Sequence, residues 1–249
     1  PDGKWIAFHR SRAGGYGPRI RGRGELGGPT RDSDIFLASL DDLLAHSEKP
    51  INLTESLGAT SDDDADWSPD GLKIAFTSRS STCTTSAACR AAAEIWAINV
   101  DGTKPQRLTF NTLEERSPDW SPDGTKLVYM CRLADLTPFE ICVMNSDGTG
   151  DVEVLTHNAI PDLTPGWSPD GTRISFFRGL DGQEQIHVMN YLADENGDRH
   201  VKVLTTSPNT AFFPNWGTIA VPCRGRVSSR SAHPSSFQNW TNAAIDRSQ

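Results

Sequence analysis

An acidic residue recurs five positions before a tryptophan in three segments of the chain. The three acids are Asp62, Glu115 and Asp162. If the tryptophan segments line a central channel, these carboxylates form a ring at one mouth of it, and such a ring attracts a cationic peptide segment or a divalent ion. The alternative is that each carboxylate accepts hydrogen bonds from nearby backbone N–H groups and stabilises its own loop. We therefore predict a partner-binding channel mouth and keep the structural role open.

The densest acidic cluster is the run of aspartates that begins at Asp62. It makes Asp63 and Asp64 weak candidates for calcium ligands, because calcium prefers several oxygen ligands supplied by one loop. Consecutive aspartates cannot all face one ion without unusual backbone bends, so a solvated loop is the favoured interpretation. We expect no other cofactor.

An Arg/Gly-rich insertion spans residues 10–31 and contains a G-x-G-x-x-G match that starts at Gly22. No helical pattern follows the match, so it does not predict a phosphate-binding loop. The insertion is either a surface loop or a contact for an acidic partner.

Catalytic motifs are absent from the sequence, which contains neither G-x-S-x-G nor H-E-x-x-H. His9 and His157 follow predicted strands, and a lyase would need such a histidine close to an arginine or a tyrosine. The sequence therefore favours a non-enzymatic protein and leaves an enzyme as the alternative.

The tryptophans belong to a repeated unit of about 50 residues, a period typical of repeat architectures. Trp-Ser-Pro-Asp-Gly begins at Trp67, Trp120 and Trp167, and a degenerate copy contains Trp216. Pro-Asp-Gly predicts a tight turn, because proline presets φ and the two following residues tolerate positive φ. The turns therefore separate a tryptophan strand from a second strand in every unit.

Three further segments complete each unit, as in residues 73–76, 94–98 and 107–109. All three are short segments with β character, and an Asp-Gly turn separates the last two. Four strands per unit at a fixed period predict an all-β propeller of four-stranded antiparallel blades, with four repeats detectable. Residues 40–46 are expected to form one helical turn.

Five cysteines are present, and two pairs lie close in sequence. The candidate disulfides join Cys83 to Cys89 and Cys131 to Cys142, with Cys223 left over. Two local disulfides suit an oxidising compartment, whereas five free thiols suit the cytosol. The disulfides are the favoured interpretation.

Length, charge and hydropathy bound the remaining possibilities. The chain has 249 residues and a net charge of −8, so we expect no nucleic-acid binding. No apolar stretch is long enough to form a transmembrane segment. We expect one propeller domain over residues 1–217 and a polar, poorly ordered tail over 218–249.

The ordered series of Trp-Ser-Pro-Asp-Gly, an Ile-Ala-Phe-like strand, Asp-Gly-Thr and Arg-Leu-Thr resembles the TolB-type β-propeller repeats, also called WD40-like or PD40 repeats. The likeness covers roughly residues 1–217. It implies that the tryptophan strand is innermost and the Leu-Thr strand outermost. The family includes periplasmic partner-binding proteins, the propeller domains of prolyl-oligopeptidase-like peptidases and secreted proteins, so fold alone assigns no activity.

Four units are fewer than the six or more that such propellers usually have. The first unit lacks its tryptophan strand and the last segment consists of little else, so the two ends would complete one blade and close the ring. The alternative is that the chain is part of a larger propeller.

These observations predict a non-enzymatic scaffold that binds a protein or peptide partner through its loops and the acidic mouth. The resemblance implies a periplasmic or extracellular location, and we expect a monomer. The alternatives are the gating propeller of a prolyl-oligopeptidase-like peptidase and a carbohydrate-active lyase.

Overall fold

The computed structural model describes residues 3–11, 33–45, 49–58, 61–79, 93–111, 113–134, 137–179 and 183–206, together with 211, 214 and 216. Several sequence predictions lie outside these residues: the pair Cys83 and Cys89, most of the insertion over 10–31, and the tail over 218–249. The domain boundary at residue 217 therefore stays a prediction.

The first sheet has three strands, as expected for a unit without its tryptophan strand. Their order is β1-β2-β3, and each pair is antiparallel. A short helix and a 3₁₀ turn (Glu55–Leu57) follow the second and third strands. The elements are β1 (Trp5–Ser11), β2 (Ser33–Ser39), α1 (Leu40–Ala45) and β3 (Ile51–Asn52). No helix in the described part of the chain is long and apolar enough to cross a membrane.

The second and third sheets each have four antiparallel strands in chain order. The second consists of β4 (Ser61–Trp67), β5 (Lys73–Arg79), β6 (Ala93–Asn99) and β7 (Gln106–Arg107). The third consists of β8 (Glu115–Trp120), β9 (Lys126–Cys131), β10 (Glu140–Asn145) and β11 (Glu153–Val154). The predicted unit of four strands, tryptophan strand first, is confirmed.

The fourth sheet repeats the same order with β12 (Asp162–Trp167), β13 (Arg173–Arg178), β14 (Gln185–Asn190) and β15 (Lys202–Val203). The glycine of each Pro-Asp-Gly turn has positive φ, at 72° in Gly71, 73° in Gly124 and 69° in Gly171. Only glycine adopts this conformation without strain, so the turn prediction is confirmed.

Each tryptophan strand contains an irregularity that sequence analysis missed. The residue three positions before the tryptophan is left-handed, with φ of 55° at Asp64, 54° at Ser117 and 44° at Thr164. The pairing register with the next strand shifts at the same place. These bulges bend the inner strands and redirect the side chains that precede them.

The core lies between consecutive sheets. One apolar cluster joins Ile35 and Leu37 of the first sheet to Ile74 and Phe76 of the second. Equivalent clusters join the second sheet to the third and the third to the fourth. The sheets therefore pack face to face in chain order, as blades of a propeller do. The two alternatives for ring closure stay predictions.

Candidate functional site

The three predicted acids lie at one end of the sheets. At this end the tryptophan strands, which we call the inner strands, begin, and the second strands of the repeat units end. We call it the upper edge. Asp62 pairs with Ser78, Glu115 with Cys131 and Asp162 with Arg178. All three acidic side chains are buried, with exposures of 0%, 3% and 0% in the order Asp62, Glu115, Asp162. The structure therefore places them in the junctions between consecutive sheets, and this burial favours the structural role. Direct contact with a partner stays a prediction.

A second acid meets each of them from the preceding sheet. An acid or an amide is the first or second residue of the third strand of each repeat unit (β2, β6, β10 and β14): Asp34, Glu94, Glu140 and Gln185. The threonine of the Leu-Thr segment lies beside it; Thr109 donates to Glu94 at 2.6 Å and Thr156 donates to Glu140 at 2.7 Å. Sequence analysis missed these acids, although an acid recurs at the start of the third strand.

Asp162 is neutralised by an arginine. Nε of Arg178 donates to Oδ1 at 2.6 Å, and Nη2 donates to Oδ2 at 2.8 Å. Asn158 adds a third hydrogen bond at 2.8 Å. This two-pronged pairing is the strong geometry for a carboxylate and a guanidinium.

Glu115 has no such cation. Asn111 donates to its Oε1 at 2.6 Å, while Oε2 is buried without a hydrogen-bond partner in the described residues. Burial raises the pKa of Glu115, and burial also raises the pKa of Glu94 to about 7. Desolvation is the main cause in both carboxyls, and the charge of Glu115 adds to the rise at Glu94. Arg107, which donates to Oε1 of Glu94 at 2.5 Å, offsets the rise only in part.

Of the three acids, Asp62 has the fewest hydrogen-bond partners for its carboxylate. Neither carboxyl oxygen makes a well-formed hydrogen bond within the part of the chain that the structure describes. Burial raises its pKa to about 6, and the nearby hydroxyls of Ser78 and Thr54 offset that rise only in part. Asp62 is therefore a largely desolvated carboxyl that titrates near neutral pH.

The calcium candidates are already engaged in contacts between sheets. Arg79 donates to Oδ2 of Asp63 at 2.5 Å, and Ser33 of the first sheet donates to Oδ1 at 2.8 Å. Asp64 accepts hydrogen bonds from Thr77 at 3.2 Å and from Ser117 of the third sheet at 3.1 Å. These contacts do not favour calcium, and calcium binding stays untested.

Two partly exposed arginines stand at the upper edge, among exposed apolar side chains that include Phe110, Leu133 and Ile160. Glu114 is buried and forms ion pairs with both Arg116 and Arg132, whose side chains are 26% and 27% exposed. Arg132 also stacks on the ring of Phe139 at 4.1 Å. Burial, followed by the neighbouring charge of Arg79, lowers the pKa of Arg116. The edge therefore presents arginines that rest on buried carboxylates.

Another acidic pair links the inner strands. Asp66 accepts the backbone N–H of Trp120 at 2.9 Å, and Asp119 accepts that of Trp167 at 2.7 Å. Burial raises the pKa of Asp66 to about 6, and burial with the charge of Asp66 raises that of Asp119 to about 8.

The next copy of this contact differs. Gly166 occupies the position of these aspartates in the fourth sheet, and its carbonyl accepts the indole N–H of Trp216 at 3.0 Å. Trp216, the described residue of the degenerate last copy, therefore lies beside the tryptophan strand of the fourth sheet.

Cysteine and histidine residues complete the candidate set. Cys131 and Cys142 form a disulfide between β9 and β10. His157 and His9 are exposed, and neither makes a hydrogen bond or ion pair to another described residue. Within the described residues, no group of three or more His, Cys, Asp or Glu side chains is arranged to hold a metal ion.

The sequence profile described as the TolB beta propeller domain matches residues 30–220. Because the match covers well over half of the chain, the chain belongs to the TolB β-propeller domain family. No curated protein matches it.

Solved structures agree with this fold. The structure of putative TolB from Agrobacterium tumefaciens is 21% identical with a TM-score of 0.59, and it covers 82% of this chain and 62% of that one. TolB from Acinetobacter baumannii is 22% identical with a TM-score of 0.55, covering 82% and 42%. Hydrazine synthase from Kuenenia stuttgartiensis is 16% identical with a TM-score of 0.56, covering 76% and 30%. The chain thus spans less than two thirds of these proteins, and the likeness concerns the fold.

Proposed function

We propose that this propeller is a non-enzymatic scaffold that binds a protein or peptide partner at its upper edge. The observation that carries the proposal is the pair Arg116 and Arg132, held on the buried Glu114 with about a quarter of each side chain exposed. Guanidiniums fixed in this way lose little further conformational entropy when a partner contacts them. The complementary groups on the partner are carboxylates and carbonyl oxygens.

The predicted acids Asp62, Glu115 and Asp162 act indirectly in this proposal. Asp162 orients Arg178, whose side chain is 21% exposed at the same edge. Asp62 and Glu115 lie behind the surface, where their charge states affect the packing of neighbouring sheets. Partner contact is therefore assigned to the arginines and not to the acids.

The disulfide between Cys131 and Cys142 supports an oxidising compartment, so we propose a periplasmic or extracellular location and a monomeric chain. Among the described residues, no arrangement of side chains around His9 or His157 favours the lyase alternative. No feature of the described residues favours the peptidase alternative over the scaffold.

Affinity capture with chemical crosslinking from native envelope extract tests the proposal. Three baits are compared: the wild type, Arg116→Gln combined with Arg132→Gln, and the control Arg173→Gln, an exposed arginine at the opposite end of its sheet. We expect one partner to be crosslinked to the wild type and the control and to be lost from the double variant. Thermal unfolding of each bait establishes that the variants are folded.

Two results contradict the proposal. One is that all three baits retain the same proteins in the same amounts, which would remove the upper edge from recognition. The other is that folded wild type retains no protein.

A further inference from the structure

Three clefts separate the consecutive sheets at the lower edge, the end of the sheets where the Pro-Asp-Gly turns lie. The residue that begins the second strand of each repeat unit lies at this edge, and in the first sheet it lines a cavity together with Asp70 and Gly71 of the next sheet's turn. That residue is Trp5 in the first sheet, whereas it is Lys73, Lys126 and Arg173 in the others. The first sheet thus has a tryptophan where the other three have a basic residue. The second and third clefts can therefore be compared with the first as internal controls.

The second and third clefts are closed by polar contacts between sheets. In the second cleft, Gln106 donates to the carbonyl of Asp147 at 3.2 Å. In the third cleft, Arg199 and Glu153 form an ion pair. The inner tryptophans of these clefts are buried, with exposures of 8% for Trp120 and 7% for Trp167.

The first cleft is open and apolar. It contains a cavity of about 400 Å³ whose lining includes Trp5, Leu37, Ile51, Trp67 and Val100. Trp5 is 43% exposed and Ile51 is 53% exposed, so the apolar surface faces solvent. A volume of this size is within the range of ligand-binding cavities.

One carboxylate stands at the rim of this cavity. Asp70 also lines it, and its Oδ1 accepts hydrogen bonds from the hydroxyl of Ser68 at 2.6 Å and from the backbone of Leu72 at 2.9 Å. These hydrogen bonds lower the pKa of Asp70, so it is charged at neutral pH. Two indoles beside a fixed carboxylate match a cation on an apolar stem, because the stem packs on the rings while the charge meets the carboxylate.

We infer that the first cleft binds the side chain of an arginine or lysine presented by a peptide, with its aliphatic stem between Trp5 and Trp67 and its charge beside Asp70. The inference rests on the proposed function in that the ligand is a peptide, but the surface is a different one. The lower edge is thereby assigned a basic ligand, whereas the ligand proposed for the upper edge offers carboxylates and carbonyl oxygens.

The test is an NMR titration of the indole N–H signals, of which the chain has seven. The probe is acetyl-Leu-Arg-Leu-amide, and acetyl-Leu-Gln-Leu-amide is its neutral match. In Trp5→Lys the first sheet receives the residue of the second and third sheets. The matched control is Leu192→Lys, an equal change of charge at an exposed apolar residue in the connection between β14 and β15.

We expect the arginine peptide to shift the Trp5 and Trp67 signals in the wild type and in Leu192→Lys with the same dissociation constant. Trp5→Lys should bind it about tenfold more weakly, as should the wild type with the neutral peptide. Equal affinity of wild type and Trp5→Lys would overturn the inference, as would equal affinity for the two peptides or no shift up to about 1 mM peptide.

The double variant Arg116→Gln/Arg132→Gln separates this inference from the proposed function. It should bind the arginine peptide as the wild type does, because its changes lie at the upper edge. Loss of the partner at the upper edge and loss of the peptide at the first cleft are therefore independent results.

Discussion

Asp62 and Asp162 occupy the same position of the repeat in the second and fourth sheets, and both side chains have no exposure to solvent. Asp162 receives two hydrogen bonds from Arg178, whereas Asp62 faces Ser78 at the equivalent position. The pKa of Asp62 rises to about 6 as a result of burial without a cation. The repeat therefore determines burial, while the second-strand residue paired with the acid, Ser78 or Arg178, determines whether the acid has an ion-pair partner.

The largest expected effect comes from removing the cation of the fourth sheet. Arg178→Ala leaves the buried Asp162 without its ion pair, with Asn158 as its remaining side-chain partner among the described residues, and we expect the free energy of unfolding to fall by about 3–5 kcal/mol at pH 7. Urea denaturation measures the change. Arg173→Ala is the control, because that exposed arginine contributes within about 0.5 kcal/mol. A loss below about 1 kcal/mol in Arg178→Ala would show that Asp162 does not depend on its ion pair.

The next effect is a pH dependence of the whole chain. Burial raises the pKa of Asp62 and Asp66 to about 6, of Glu94 to about 7 and, with the charge of Asp66, that of Asp119 to about 8. A carboxyl with a higher pKa in the folded state binds more protons folded than unfolded, so stability falls as the pH rises between about 4 and 8. We expect a decrease of about 3 kcal/mol from pH 5 to pH 8. Urea denaturation at both values measures it.

A flat or rising stability over this range would contradict that expectation. Below about pH 4 the sign reverses, because hydrogen bonds lower the pKa of the turn aspartates and their protonation then costs stability. These aspartates are Asp70, Asp101, Asp123, Asp147 and Asp170.

A smaller effect separates the two equivalent aspartates directly. Asp62→Asn removes the cost of ionising a desolvated carboxyl, so we expect a gain of about 2 kcal/mol at pH 8 that falls to about half at pH 5 and disappears below about pH 4. Asp162→Asn should instead lose stability at both pH values, because Arg178 loses its charged partner. If both variants change the free energy of unfolding in the same direction at pH 8, the presence of Arg178 beside the acid does not determine the effect of the substitution.

The smallest expected effect concerns the junction between the second and third sheets. Glu115→Gln supplies an amide N–H toward Glu94, while its oxygen still accepts from Asn111. We expect a gain of at most about 1 kcal/mol at pH 8, measured by thermal unfolding. A larger gain in stability than that of Asp62→Asn would contradict this order. It would indicate that a pair of buried carboxyls costs more stability than a single buried carboxyl without an ion-pair partner.

Much of the fold was predictable because the signals are local. The Pro-Asp-Gly turns, the four strands of each unit and the helical turn at 40–46 all follow from neighbouring residues, and the structure confirms them. The bulges at Asp64, Ser117 and Thr164 were not predictable, because none of the three is a glycine and the left-handed conformation depends on contacts with the next sheet.

The acid five residues before each complete copy of the tryptophan motif can be read directly from the chain. Three features appear only once the sheets pack together: these acids are buried in the junctions, arginines reach solvent in front of them, and the first cleft is open while polar contacts close the other two. The physical reason is that a repeat specifies contacts within one sheet. The charge and accessibility of a side chain depend on the neighbouring sheet, whose residues at the facing positions differ from copy to copy.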